Sequence, residues 1–385
     1  MKMLNAWTLE LDEPETAVAE ILQQLDLENN LLSRAAGFVT CSYDFIETGI
    51  LQAICDALPF EVVGCTTFAN ATNGEAGSML LCLTVLTADD CSFASALSPP
   101  LKGDIISCLA GTYDEAAAKL DGPPKLVLAF VPMMDFLGGG LIIHALDKAV
   151  LSTPIFGTTA CDSAKELYSR SYTIFNGQHT QDRLPMLLIS GRVNPRFVVT
   201  ATSKQHLRKQ QAVITDSEGS LLKEINGVSV RSYLESIGLL QKGSENGLSS
   251  VSFMVNYDNG TQPLARAIYS LNKDGSAVCG GLMPKGSFLS FGRMEVEDIL
   301  HSAEMSLKKV LLHEDINGII TFPCLGRNLI LGMDYMREIE LVQKTIPPDL
   351  PVHLAYSGGE VCPVYDESGN TVNNFHNFTF VACAL

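Results

Sequence analysis

The residues most able to do chemistry lie near the C-terminal end of the chain. Ser357 sits in Ala355-Tyr356-Ser357-Gly358-Gly359 after an apolar strand pattern, and Asp366 and His376 follow it. With Ala in place of the first glycine the segment approaches a nucleophile elbow, and Ser, Asp, His is the order an α/β-hydrolase uses. An elbow needs a helix directly after the serine, yet Cys362-Pro363 interrupts. Asp366 lies in the turn-like run Asp366-Glu367-Ser368-Gly369-Asn370, and His376 opens a strand pattern. Cys324 follows the strand pattern Ile319–Phe322 and stands beside Arg327. A guanidinium there would lower its thiol pKa, although no His or Asp adjoins it in sequence and a structural cysteine is the competing reading. Gly138-Gly139-Gly140 separates a strand from a helix, where backbone N–H groups can face an anion. The dinucleotide and Walker fingerprints are missing, so a tight turn is the preferred reading of those glycines. The seven histidines include no His-x-x-x-His pair, and His144 on its apolar helix reads as a core residue.

These residues need a scaffold of strands and helices. Strand patterns over 36–41 and 61–65 flank a helical one over 47–58, and two β-rich stretches follow at 78–86 and 92–97. A helix over 104–120 is opened by Asp104 as N-cap. The order then recurs: strand 125–131, helix 138–150, strand 154–156, then β-rich 172–175 and 184–190. This predicts an internal β-α-β-β-β duplication. Each copy turns at a similar tetrad, Gly64-Cys65-Thr66-Thr67 and Gly157-Thr158-Thr159-Ala160. Turns just past strand ends are where α/β sheets carry ligand-contacting residues, so Cys65, Thr66, Thr158 and Thr159 are candidates. Gly191 to Pro195 marks a boundary, giving domains 1–192 and 193–385. Beyond it come strands, a helix over 228–237, three β segments within 250–291, a long amphipathic helix over 295–312, a strand over 317–322, a helix over 333–344 and strands at 351–356 and 377–385. The predicted fold is α/β, with mixed β-sheets and flanking helices in two domains.

Composition narrows the function. A formal charge of −17 without a basic patch argues against nucleic acid. The densest basic stretch, Lys204 to Lys209, reads as a solvated turn. The 11 cysteines are odd in number and include no C-x-x-C, so they form neither a disulfide framework nor a zinc ribbon and fit a reducing, cytoplasmic setting. Glu10, Asp12, Glu13 and Glu15 break any signal peptide, and no stretch reaches the roughly 18 apolar residues of a membrane span. No membrane insertion is expected.

Taken in order, Phe322-Pro323-Cys324-Leu325-Gly326-Arg327, Gly332, Glu338, Tyr356 to Pro363 and Phe375 to Thr379 resemble the C-terminal half of FIST domains, the F-box and intracellular signal transduction family. Gly64 to Thr67, Pro154 to Asp162 and Tyr172 to Gly177 resemble its N-terminal half. The resemblance implies a sensory module that binds a small ligand, such as an amino acid or similar polar metabolite, without catalysis. It also implies a partner: with no output domain after Leu385, the signal would pass to a separate histidine kinase or other output protein. Some stand-alone bacterial members bind haem as nitric-oxide sensors, and haem is the alternative here, with His376 in the matching segment as a candidate ligand. The serine hydrolase using Ser357, Asp366 and His376 is the second alternative. For a polar ligand, Arg327 could pair a carboxylate and Glu360 an ammonium, with Tyr356, Ser357, Asn377 and Thr379 as neutral partners and Cys324 alongside. The competing arrangement is an Arg327–Glu360 ion pair, and the cleft between the domains is the expected place.

Overall fold

The computed structural model describes residues 1–134, 137–162, 168–201, 212–245, 248–313 and 315–385. The Lys204–Lys209 stretch lies outside them. The architecture is mixed α/β, as the alternation predicts.

Its plan becomes visible when the strands are followed sheet by sheet. The first sheet takes β1 (Lys2–Thr8), β2 (Arg34–Cys41), β3 (Val62–Thr66) and β6 (Leu81–Ala88); the second takes β7 (Cys91–Leu97), β8 (Pro124–Val131), β9 (Ile155–Thr159) and β12 (Pro185–Gly191). The third takes β13 (Arg196–Thr200), β21 (Ile319–Pro323), β22 (Val352–Ala355) and β25 (Phe380–Ala384). A hairpin completes each: β10 (Thr173–Phe175) with β11 (Gln178–Thr180), β23 (Glu360–Tyr365) with β24 (Thr371–His376), and β4 (Asn70–Ala71) with β5 (Ala76–Gly77). The orders are β1-β6-β2-β3-β10-β11, β7-β12-β8-β9-β23-β24 and β13-β25-β21-β22-β4-β5. In all three the central pair is parallel and every other pairing antiparallel. The same strand plan therefore occurs three times: two copies lie within residues 2–191, where the sequence pattern repeats, and a third follows in the second half of the chain. The third copy escapes notice in the sequence because seven further strands, between residues 212 and 293, are inserted after β13 and form a separate sheet.

The hairpins are exchanged around the assembly. β10–β11 leave the second unit for the first sheet, β23–β24 leave the third for the second sheet, and β4–β5 leave the first for the third. The expected break near residue 192 falls between the second and third units, but all three share one core. Phe38, Val63, Phe130, Phe156, Phe322 and Val381, drawn from the three sheets, pack in a single cluster.

The outer faces are covered by helices. Pro14–Leu25 and Ile50–Asp56 cover the first sheet, Ile105–Ala117 and Gly139–Ala149 the second, and Val296–Val310 and Arg337–Thr345 the third. Strands sandwiched in this way read as unbroken apolar runs, which explains why Leu126–Val131 carries no alternation. Asp104 accepts from Ser107 N at 3.2 Å, so it caps its helix as its type and position predict. The inserted sheet has its own core, around Phe253, Phe291, Tyr233 and Leu234. No described helix is long and apolar enough to cross a membrane.

Candidate functional site

The three parallel pairs end at one place. Thr66, Thr159 and Tyr356 occupy equivalent positions, since Thr67 N, Ala160 N and Ser357 N donate in the same way to the last carbonyls of β2, β8 and β21, those of Cys41, Val131 and Pro323. Each donates its N–H to a carbonyl of the next unit: Thr66 to Tyr172 at 2.9 Å, Thr159 to Gly359 at 2.9 Å and Tyr356 to Ala69 at 3.0 Å. Thr66, Thr159 and Tyr356 are thus each tied to the next unit in turn, and Cys65, Thr158 and Ser357 beside them are buried as well.

Their side chains fare differently. Thr66 Oγ1 accepts from Tyr172 N at 2.9 Å. Tyr356 donates its hydroxyl to Glu338 Oε2 at 3.0 Å. Thr159 Oγ1 is buried without any hydrogen-bond partner. Buried polar atoms are normally paired, so an orphan calls for an explanation.

Thr159 also lines a partly open cavity of about 140 Å³. The opposite walls are Gly138 to Gly140 at the start of the helix Gly139–Ala149, Tyr269 on β18 (Leu264–Leu271), Gly280 and Gly281 after β19 (Ala277–Cys279), and Gly358 with Phe375 from the third unit. The second unit, the third unit's hairpin and the inserted sheet thus all contribute. The glycines let backbones approach: a Cβ on Gly139 would lie 2.7 Å from the Phe375 ring, and one on Gly281 2.6 Å from Arg266 Nε. Arg266, itself buried, donates to the Tyr257 hydroxyl at 2.6 Å and to the Phe375 carbonyl at 2.7 Å, tying the inserted sheet to β24. Tyr269 is 45% exposed as a residue, while its hydroxyl stands 3.5 Å from the Gly358 carbonyl and from Asn377 Nδ2. Burial of that hydroxyl, with Cys324 and Glu360 behind it, raises its pKa and keeps the phenol protonated.

The other sequence candidates sit behind this wall. Arg327 is fully buried, and its ion pair is with Glu338 rather than with Glu360. Arg327 Nε donates to Glu338 Oε1 at 3.0 Å, and the remaining guanidinium donors reach the carbonyls of Phe378 and Ile299 and Ser302 Oγ. Fully buried and bonded at all three guanidinium nitrogens, this side chain is committed to partners inside the protein. Glu360 is also fully buried; Oε2 accepts from Thr379 N at 3.1 Å and from Thr379 Oγ1 at 2.6 Å, while Oε1 is unpartnered. Burial pushes its pKa up to about 8, so it is a neutral acid near pH 7. The expectation that Arg327 would lower the Cys324 thiol is overturned: burial and the neighbouring Glu360 raise it well above its ordinary value.

Ser357, Asp366 and His376 each bond elsewhere. Ser357 Oγ donates to the Gly359 carbonyl at 2.7 Å and accepts from Gly359 N. Asp366 is taken up by the turn, accepting from Ser368 N, Asn370 N and Asn370 Nδ2. His376 ends β24 rather than opening a strand, and its Nε2 is bonded to the Cys362 carbonyl at 2.9 Å. Burial lowers its pKa to about 4. The same placement makes His376 a poor fit for a haem iron, since that nitrogen is engaged and the ring is 1% exposed. Among the described residues no cluster of three metal-ligating side chains forms.

Sequence reasoning named Thr159 as a strand-end candidate but missed Tyr269 and the Gly280-Gly281 pair, which line the same cavity. Their signal was a glycine doublet closing a strand, which marks a close backbone approach.

The sequence matches the family model of the FIST N domain over residues 35–228 and that of the FIST C domain over residues 230–363. No curated protein matches the chain. Among solved structures, the crystal structure of cyanuric acid hydrolase from A. caulinodans is similar at 10% identity and a TM-score of 0.36, covering 100% of this chain and 98% of its own. At that score the likeness carries no argument.

Proposed function

Because the chain belongs to the FIST family, whose domains are sensory signal-transduction modules, we propose that it is a non-catalytic sensor whose small-molecule ligand occupies the cavity beside Thr159. The binding event is passed to a separate output protein, a histidine kinase being one candidate. The observation that carries this reading is the composition of the cavity wall. Two units and the inserted sheet close around one space, so a ligand there bears on their relative arrangement. Ligand-linked change requires such differential contact.

The cavity is close in size to the roughly 150 Å³ apolar cavity that accepts benzene, so it suits a ligand of about six to eight heavy atoms and not a haem. None of the described lining residues is a Ser–His or Cys–His pair, which favours binding over acyl transfer. The test is a thermal-shift and calorimetry panel of small metabolites, with haemin and a fluorophosphonate included, on the wild type and on Gly138→Leu. An added Cβ at Gly138 meets nothing within 4 Å, and a circular dichroism spectrum equal to that of the wild type checks that the variant is folded. A small molecule that binds the wild type and loses affinity in the variant supports the reading. Stoichiometric haem uptake, or labelling abolished by Ser357→Ala, would replace it.

A further inference from the structure

We propose that the groove beyond the C-terminal end of the helix Gly139–Ala149 is the docking surface for the output protein, and that it takes an extended, proline-containing segment with an acidic residue beside Lys125. This rests on the reading that the signal leaves through a separate protein, and it does not depend on what fills the cavity.

The turn that closes the helix carries the first observation. Leu151 follows the C-cap Val150 at φ 47°, and Ser152 follows at φ 75°. The left-handed region just past a helix ordinarily belongs to glycine, and a bulky residue there is strained. Leu151 is also 85% exposed, so neither backbone nor burial favours leucine in the isolated chain. Its surroundings impose the shape nonetheless. Asn373 Nδ2 donates to the Thr153 carbonyl and to Asp147 Oδ1, each at 3.0 Å, and Asn373 Oδ1 accepts from Ile155 N at 2.7 Å. The hydroxyls of Tyr113 and Thr153 are 2.9 Å apart. Strain held in place by such a frame gathers at binding surfaces.

The groove itself selects the kind of partner. Leu151 lines it together with Tyr113, Tyr365 and four prolines, Pro154 and Pro195 among them. Proline has no N–H to donate, so this wall cannot add a strand from a partner to a sheet. Aromatic and proline faces instead suit a polyproline-type segment, which makes no backbone hydrogen bonds of its own. Lys125 is the one charged side chain in the lining, and the lining residues and their chain neighbours are all described. It forms no ion pair with a described residue. Of the acids next to the lining in the chain, Asp366 is taken up by its own turn and Asp114 is exposed on its helix. The neighbouring grooves that share Lys125 are mixed in charge: Asp90, Asp121 and Asp315 stand there with Arg34, Arg192 and Arg196. Glu314, which adjoins one of them in the chain, lies outside the described residues.

Two elements connect this groove to the cavity. The helix Gly139–Ala149 lines the cavity with its first residues and leads into Leu151 at its end, roughly 16 Å away at 1.5 Å per residue. β24 carries Phe375 on the cavity and Asn373 beneath the strained turn.

The experiment selects a phage-displayed library of random dodecapeptides on the full-length protein. Enriched peptides are synthesised, and fluorescence anisotropy reads their affinity for the wild type, Leu151→Gly and Lys125→Glu. The expected consensus combines proline with Asp or Glu, and binding weakens as salt is added. Leu151→Gly is expected to lose affinity at least roughly tenfold while its thermal midpoint equals or exceeds that of the wild type, because glycine relieves the left-handed turn. Lys125→Glu is expected to weaken the same peptides and to abolish the salt dependence. No enrichment, a basic or proline-free consensus, or unchanged affinity in Leu151→Gly would overturn the docking surface. A wild-type dimer in sedimentation that Leu151→Gly separates would also overturn it, assigning the face to a second copy of the chain. Each of these results leaves the cavity as ligand site, which the Gly138→Leu comparison tests on its own.

Discussion

Glu338→Gln separates a structural role for Arg327 from a ligand-binding one. The wild-type guanidinium has no exposure, and its only anionic partner is Glu338, likewise without exposure. Glutamine preserves the shape: its carbonyl still accepts from Arg327, and its amide faces a Tyr356 hydroxyl that can turn to accept. What disappears is the charge, leaving a buried guanidinium uncompensated. Removing one partner of such a pair costs on the order of 3–5 kcal/mol. Set against the roughly 5–15 kcal/mol by which folded domains are stable, that is a large fraction. Arg327→Met is expected to cost a similar amount, and the double variant Arg327→Met/Glu338→Gln about 2–3 kcal/mol less than the sum, because it buries no lone charge. Urea unfolding followed by far-UV circular dichroism reads the midpoints. Fluorescence of Trp7, the single tryptophan, reports the first sheet separately and tests whether the units melt together. A Glu338→Gln midpoint equal to wild type, or a double variant as damaged as the sum, would refute the structural assignment. Loss of ligand in Arg327→Met without loss of stability would return Arg327 to the binding site.

Four further outcomes follow from the same geometry. His353 is buried between Thr40 Oγ1 and Thr84 Oγ1, at 2.9 and 2.8 Å, and burial lowers its pKa to about 3. With His376 at about 4, both stay neutral in the fold; their stability is complete above the unfolded value of about 6.5 and is lost as pH falls toward 4 and 3. The acid limb of a pH–stability curve should therefore flatten in His353→Gln. Glu360 has the opposite sign: its contribution is full below about 4.5 and is lost as pH rises through about 8, at most roughly 4–5 kcal/mol, and Glu360→Gln should abolish that slope. Native protein should react quickly with a thiol reagent at Cys108 alone, the other ten cysteines being buried, and at all eleven in denaturant. Gly157→Ala should give no soluble protein, since its Cβ would lie 1.9 Å from the Ala129 carbonyl on the paired strand, whereas Gly138→Ala should express normally.

Local signals in the sequence were legible wherever local physics decides structure. The helix after Asp104 and the strands at 124–131 and 155–159 could be read from capping and apolar runs, but the tetrads expected as turns are not turns: Gly64 to Thr66 end β3 and Gly157 to Thr159 end β9, each paired in register with the neighbouring strand. The third copy could not be read in this way. Its central strands lie at 319–323 and 352–355, more than a hundred residues beyond its first strand, and its tetrad position carries Leu354 where the others have Gly64 and Gly157. Hairpin exchange was equally invisible, because a short strand such as Thr173–Phe175 gives the same pattern whichever sheet receives it. At the site, residue type alone made Arg327 and Glu360 look like a ligand kit. What reassigned Arg327 was Glu338, eleven residues away on the next long helix, a contact that only packing reveals.

The exchange of hairpins also explains why only one of the three equivalent strand ends borders the cavity proposed as the ligand site. In the first unit the strand-end position is closed by Tyr172, and in the third by Glu338 reaching in to Tyr356. In the second, the neighbouring hairpin brings glycines and Phe375 instead, and the inserted sheet stands opposite with Tyr269 and a glycine pair. The space left open is therefore bounded by segments that are distant in sequence but share the central core through β9, β22 and their neighbours. A ligand bridging the Gly139–Ala149 helix, Thr159 and Tyr269 would link the second unit to the inserted sheet without altering either fold. If that linkage is how a signal leaves the site, the inserted sheet should show slower amide exchange when the cavity is occupied, and Gly138→Leu should remove the protection along with the ligand. Protection confined to the helix and β9 would mean that the inserted sheet only walls the cavity and takes no part in transmission.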